Sequence, residues 1–523
     1  MTESPSRADD GRRDAGATVV EDGETSRWPA VGVAVVLVLG VLTRFVTISH
    51  LWLDEAQTVA IAALPLGDMA EGLRHDGAPP LFYVMLHGWM KVFGDGELST
   101  RFLSGVFAVA ALPLMWLAAR RLGGTRVAWA AVLLLASSPF AVRYATEARM
   151  YSLVVLLVLV GYLALWELLE RPSSTRAAVG VGVVTGALLL THYWSLYLVF
   201  VVAVTLYVVA RRGDGVRRAG ARRGLVAMAL GSLLFVPWLP SFFYQVQHTG
   251  TPWGAPGKIR TVFDTITSFA GGYWDPGLML GAIYFSLTAL ALMGRPIDGR
   301  RILIDLRTRP PARHLFLVGF GTLVVAIVAT VVGRSAFAVR YASVVFPMAL
   351  LLVALGTEVL LDRRIVHGVL AVAVGAGFWS IAPNVFVDRT SAPRVAAALE
   401  ASVVPGDVVA YCPDQLGPAV SRLLPAGIDQ LTFPRATPPQ VVDWVDYAKV
   451  NKAGDPEPFA GMLVDRAGPQ GTVWLVWAPG YRTYKDKCAA LIGELDELRP
   501  ENTRVVKLPK TFEKPGLVRF DPE

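Results

Sequence analysis

Apolar runs long enough to cross a membrane alternate with short polar loops over the first 386 residues, and this alternation is the chain's dominant pattern. A helix needs roughly 20 apolar residues to span the hydrocarbon core, so the runs predict about eleven spans. They lie near 28–48, 99–119, 126–142, 151–169, 177–191, 195–210, 224–240, 277–293, 314–332, 341–361 and 366–383. The first run lacks a basic leader and a small-residue cleavage site and is followed by many more, so it reads as a retained helix. Residues 1–27 are polar and mixed in charge, which predicts a disordered tail. Beyond residue 386 the period changes. GDVVAYC and GTVWLVWAP have strand length, whereas RVAAALEAS and CAALIGELDEL read as amphipathic helices, so 387–523 is expected to form a small α/β domain. The expected whole is a mainly α membrane protein with 28–386 as its transmembrane domain.

The loop after the first span is too long and too patterned for a connector. Ala56 to Leu64 and Leu81 to Val92 are apolar or amphipathic but below spanning length, which suits helices lying in the interface. Between them, Asp76-Gly77-Ala78-Pro79-Pro80 interrupts helix propagation, so the loop reads as a lid with a hinge. Asp54 and Glu55 stand about one helical turn beyond the first span.

Charge orients this array. Arg120, Arg121, Arg126, Arg171, Arg176, Arg211, Arg212, Arg217 and Arg218 fall in alternate loops, as do Arg295, Arg301, Arg307, Arg363 and Arg364. The positive-inside rule makes that side cytoplasmic and puts the N-terminus inside, with the Asp54 loop and the C-terminal domain outside. The same clustering explains the net charge of +7 without a nucleic-acid partner, and 54% hydrophobic against 17% charged residues excludes a soluble protein. The chain's two cysteines, Cys412 and Cys488, show no CxxC or zinc spacing and fall in the oxidising compartment. A disulfide is expected there, with buried free thiols as the alternative.

Polar residues gather on the outer side. SPFAVRYATEARMYS carries Arg143, Tyr144, Glu147, Arg149 and Tyr151, THYW carries His192 and Tyr193, and a late VRY carries Arg340 and Tyr341. Ionisable groups near membrane depth face a cavity or a partner. Each also has a structural reading. Asp54 and Glu55 suit solvated loop charges or a helix cap, Arg149 a partner for Glu147, Arg44 a snorkelling interfacial residue and His192 a hydrogen-bonded core histidine.

The ordered run WLDEAQT, APPLFYVMLHGWMKVFG, GELSTRFLSG, SPFAVRYATEARMYSL, THYW and VRY resembles the protein-mannosyltransferase-like branch of the GT-C glycosyltransferases, which includes the aminoarabinose transferase of lipid A. The resemblance covers roughly residues 28–350. It implies a GT-C bundle with juxtamembrane helices in the first outer loop, a polyprenyl-phosphate sugar as donor, and an acidic base in that loop, here Asp54 with Glu55 beside it. Attack of a hydroxyl at an anomeric carbon needs such a carboxylate, and the departing lipid phosphate needs cations. Arg149 and Tyr151, Arg340 and Tyr341, and Arg143 are the expected phosphate contacts, since a guanidinium grips phosphate oxygens in pairs. His75, Asp76 and His87 are assigned to the lid and acceptor side, His87 matching the pattern within LHGW. Related enzymes imply a divalent metal (Mg, Mn, Ca or Zn) on Glu147 and His192, although the spacing here is not diagnostic of one. The loops contain no nucleotide fingerprint, so no nucleotide cofactor is expected.

The expected activity is an inverting transfer of a sugar, mannose or arabinofuranose, to an envelope glycan, glycolipid or protein at a bacterial plasma membrane. Two other readings stay open, a transporter or flippase for a lipid-linked glycan and a non-catalytic scaffold binding envelope polymers.

Overall fold

The structure, a computed structural model, describes residues 30–298, 301–333, 335–508 and 511–522. The expected tail at 1–27 lies outside them. Each expected apolar run contains a helix, in the order α1 (Ala30–Leu42), α2 (Leu53–Ala63), α3 (Leu66–Asp76), α4 (Leu81–Phe93), α5 (Glu97–Ala136), α6 (Pro139–Ala145), α7 (Tyr151–Glu170) and α8 (Thr175–Thr191). There follow α9 (Ser195–Arg212), α10 (Gly215–Ser232), α11 (Leu239–His248), α12 (Arg260–Phe269), α13 (Asp275–Met293), α14 (Pro310–Val332), α15 (Phe346–Gly356) and α16 (Arg363–Phe386). Among the described residues, seven helical segments are long and apolar enough to cross a membrane, and shorter apolar helices accompany them.

One of the seven, α5, accounts for two expected spans. Its helical angles fail at Gly123 and Gly124, the latter with φ +74°, a conformation that glycine adopts without strain. Gly105 and Ala136 both approach the Gly40–Arg44 end of α1, yet in a straight helix they would stand roughly 45 Å apart. The helix therefore doubles back at the glycine pair. Arg44, expected to snorkel, is instead buried and donates to the carbonyl oxygens of Leu135 (2.7 Å), Ala136 (3.0 Å) and Gly40. It satisfies carbonyls that the ends of α1 and α5 leave without intrahelical donors.

The first loop holds one helix more than expected. Leu66–Asp76 is helical although mostly polar, and it ends at Gly77, whose φ of +86° and amide bond to the Leu73 carbonyl close the last turn. A short hairpin, β1 (Gly294–Pro296) with β2 (Ile302–Ile304), joins α13 to α14. The C-terminal α/β domain contains a five-stranded sheet in the order β4 (Asp429–Thr432), β3 (Val408–Cys412), β5 (Val473–Trp477), β7 (Gly516–Phe520), β6 (Asn502–Val506). Strands β4, β3 and β5 are parallel, and β7 runs antiparallel to both neighbours.

This domain is not an appendage. Trp52 and Leu53, at the start of α2, pack into its core beside Val408, Cys412, Phe433 and Cys488. The Gln57 amide pairs with the backbone of Val442, whose N–H donates to Oε1 at 3.2 Å. The Trp444 N–H donates to the His75 carbonyl (3.0 Å), and His75 Nδ1 meets Asp443 at 2.9 Å. The loop read as a lid with a hinge is thereby tied to the C-terminal domain at Gln57 and His75.

A disulfide joins Cys412 at the end of β3 to Cys488, 76 residues later. A disulfide typically stabilises a fold by about 2–4 kcal/mol, more for longer loops. The Cys412→Ser, Cys488→Ser pair of substitutions is therefore expected to lower the unfolding midpoint of this domain, read by scanning calorimetry. An unchanged midpoint would remove the disulfide from its stability.

Candidate functional site

Asp54 and Glu55 are adjacent in the first turn of α2, and successive helix positions diverge by about 100°. The structure sends them to opposite environments. Glu55 is fully buried and accepts two 2.7 Å bonds from Arg101, to Oε1 from Nε and to Oε2 from Nη2. The Ala148 N–H donates to its Oε1 at 3.0 Å, and Arg389 approaches to 3.7 Å. Burial alone would raise this carboxyl, but the charge and hydrogen bonds of Arg101, helped by Arg389 and Ala148, hold it below the usual range. Glu55, expected beside Asp54 in the chemistry, has no face left for a substrate.

Asp54 keeps a solvent-accessible carboxylate, with a side-chain exposure of 16%. Arg340 Nη2 stands 3.5 Å from its Oδ2. Across from it Arg149 Nη1 donates to the Thr58 hydroxyl (2.7 Å) and to the Asp54 carbonyl (3.3 Å), and it approaches the Tyr83 hydroxyl at 3.5 Å. Two arginines thus flank the free carboxylate. Arg340 also lies over the rings of Trp253 (5.1 Å) and Tyr341 (5.6 Å), which fix its plane.

Around these cations the donors are incompletely used. Arg149 Nε, Arg340 Nε and the Tyr151 hydroxyl are buried without a hydrogen-bond partner. Buried polar groups are almost always paired, so three such groups beside one carboxylate are ready to receive oxygen atoms of an anion. Tyr341 lines the same space through His192, whose ring stands 5.2 Å from it and 5.8 Å from Tyr151.

Other expected residues hold the site instead of facing it. Asp76 is half-buried beside α2, accepting from Tyr83 at 2.8 Å and from the Gln57 amide. Its burial raises its pKa, with Arg149 and those hydrogen bonds pulling against the rise. His87 Nδ1 bonds the Ala62 carbonyl at 2.8 Å and so ties α4 to the end of α2. His75 faces the C-terminal domain. Arg143, expected on the phosphate, pairs with Glu147 at 2.8 Å, and Arg389 lies 3.7 Å from the same carboxylate.

Those contacts bear on the metal. Glu147 is engaged by two arginines, and His192 Nδ1 accepts the Trp194 N–H at 3.1 Å. Burial, then the charges of Arg149 and Arg340, lower the His192 pKa to about 3. Among the described residues no group of three or more His, Cys, Asp or Glu side chains could hold an ion. A cation would also meet the two site arginines, so these residues do not fit the divalent metal, and no step is derived through one.

Tyr83, Thr58, Gln57, Trp253, Arg101, Arg389 and Glu513 were not singled out in the sequence. Tyr83 carried the nearest signal, lying within APPLFYVML just after the helix-breaking prolines. A mostly apolar cavity of about 910 Å³ lies between α7, α8, α9 and α14 and includes none of the site residues in its lining.

Residues 77–240 match the family described as dolichyl-phosphate-mannose-protein mannosyltransferase. No curated protein matches the sequence. The fold is similar to that of ArnT from Cupriavidus metallidurans bound to undecaprenyl phosphate, with a TM-score of 0.57, 16% identity, and 95% of this chain and 98% of that chain covered. It is also similar to the oligosaccharyltransferase of Archaeoglobus fulgidus in complex with Zn and sulfate, with a TM-score of 0.52, 12% identity, and 84% and 68% covered. The chain therefore has the GT-C fold, and the resemblance read from its motifs is borne out.

Proposed function

We propose that the protein is a glycosyltransferase that moves a sugar from a polyprenyl-phosphate donor to an acceptor hydroxyl, with Asp54 as general base. The observation that carries this is the accessible Asp54 carboxylate set between Arg149 and Arg340, whose Nε atoms, with the Tyr151 hydroxyl, are buried without partners. A lipid phosphate would fill those donors, and its departure would be assisted by the two guanidinium charges. Asp54 would take the proton of the acceptor hydroxyl as the new glycosidic bond forms on the face opposite the phosphate, which inverts the anomeric centre. The relative in fold that is bound to undecaprenyl phosphate, ArnT, supports the same donor class.

Arginine-rich loops alternate with the site-bearing loops along the chain, which supports a cytoplasmic face opposite the site and an acceptor met outside the cell. Mannose and arabinofuranose remain the proposed sugars, at a bacterial plasma membrane.

The test is transfer from a panel of radiolabelled polyprenyl-phosphate sugars by the purified full chain, with membrane extract as acceptor. Transfer by wild type that is lost in Asp54→Asn is the expected result. Folded protein that binds these lipids and transfers from none of them would bring the transporter and scaffold readings forward. With an active donor found, Arg340→Lys is expected to raise its KM by about tenfold or more, because a charge-assisted hydrogen bond contributes about 1.5–3 kcal/mol. Lysine cannot reproduce the stacked, planar fork over Trp253. A KM equal to wild type would remove Arg340 from donor binding.

A further inference from the structure

Glu513 belongs to none of the motifs, yet its carboxyl reaches the helix that bears Asp54. Its N–H donates to the Arg389 carbonyl at 2.9 Å, and it forms a parallel bridge with Thr390. These contacts fix its segment to the linker that leaves α16. From there Oε1 accepts the Leu53 N–H at 3.1 Å. Leu53 is the first residue of α2, and Trp52 before it supplies no side-chain cap. Amides in the first turn have no intrahelical partner, so this one is satisfied from the far end of the chain. Beside the bond, Trp52 and Phe512 meet edge to face with ring centres 5.3 Å apart. Glu513 is only 4% exposed, and its Oε2 is buried without a hydrogen-bond partner.

We propose that Glu513 is a positioning residue for the transfer reaction: as a cap on α2 supplied by the C-terminal domain, it sets where Asp54 stands relative to Arg149 and Arg340. The proposal rests on Asp54 being the base.

Its protonation state follows from its surroundings. The groups around it are Asp54 and Glu55 from α2, Thr390 and the adjoining Arg389 from the linker, Tyr481 from the loop after β5, and Thr511 from its own segment. The Arg389 guanidinium is directed at Thr146, Asn384, Glu55 and Glu147. Burial first, with Asp54 and Glu55 adding to it, pushes the Glu513 carboxyl up to about 8, against hydrogen bonds from Thr390 and Leu53. At neutral pH the carboxyl is therefore mostly protonated, and Oε1 accepts from the Leu53 N–H. Above that pH it ionises and sets a third negative charge against the turn that carries Asp54.

The experiment measures kcat and donor KM from about pH 6 to 10 for wild type, Glu513→Gln, Glu513→Ala and Asp54→Asn, with the folded fraction checked by size exclusion. Glu513→Ala is expected to lower kcat by about tenfold to a hundredfold with little change in KM, as a small misplacement of a reacting group does. Glu513→Gln, which retains the acceptor oxygen and cannot ionise, is expected to recover most of that loss and to remove the alkaline fall near pH 8. Wild-type kcat in Glu513→Ala, equal damage in both variants, or an unchanged alkaline limb in Glu513→Gln would each overturn the proposal. Activity surviving in Asp54→Asn would instead overturn the base assignment.

Discussion

Asp54→Asn is expected to reduce transfer by about a hundredfold to ten-thousandfold, the range that a positioned general base contributes. The amide occupies the same volume but cannot take the acceptor's proton. Its effect on folding is expected to be small. The Asp54 side chain is partly open, and its ion pair, to Arg340, is long at 3.5 Å. The hydrogen bonds that the Thr58 hydroxyl and the Arg149 guanidinium donate to the Asp54 backbone carbonyl survive the change. Donor KM should stay near the wild-type value if Arg149 and Arg340 grip the phosphate, so the loss belongs in kcat. Steady-state transfer at saturating donor measures this directly, and a kcat within tenfold of wild type would exclude Asp54 as the base.

Glu55→Ala, one position along, is expected to fail for another reason. Removing this carboxylate strands Arg101, which is nearly as buried, and breaking such a pair destabilises a fold by about 3–5 kcal/mol. Thermal unfolding in detergent should show a large drop, accompanied by loss of α2 from the bundle. Replacing both partners by methionine should recover much of that stability, because no unpaired charge then stays buried. The pH dependence has a definite sign. The folded carboxyl is held below its ordinary value, so its contribution is present above about pH 4.3 and is lost as pH falls through the lowered pKa. A Glu55→Ala protein as stable as wild type would show that the pair anchors nothing.

These two neighbours show what could and could not be read from the chain. The spans were legible because apolar runs of the right length have few other uses. The Asp54 neighbourhood was legible because polar and aromatic residues recur at the same end of successive spans. Nothing local distinguishes Asp54 from Glu55, since the face of α2 that is covered depends on Arg101 and on Arg389, which comes over 300 positions later. Helix α3 was missed because LGDMAEGLRHD is too polar to stand out among apolar runs, and its buried Met69 and Leu73 make only a narrow stripe. Arg44 was misread because an arginine at a span's end has the same sequence signature whether it reaches for water or caps carbonyls. Glu513 has no signature at all, its partner being 460 residues away.

That separation matters to a chain made from one end. The amide of Leu53 is made 460 residues before the carboxyl that caps it. At about 5–20 residues per second, about 20–90 s pass between them. Arg149 and Arg340 are both added within that interval, and the cap that seats α2 comes only after them. On the proposed role of Glu513, Asp54 takes up its working position only once the segment carrying Glu513 has been made and has packed against α2.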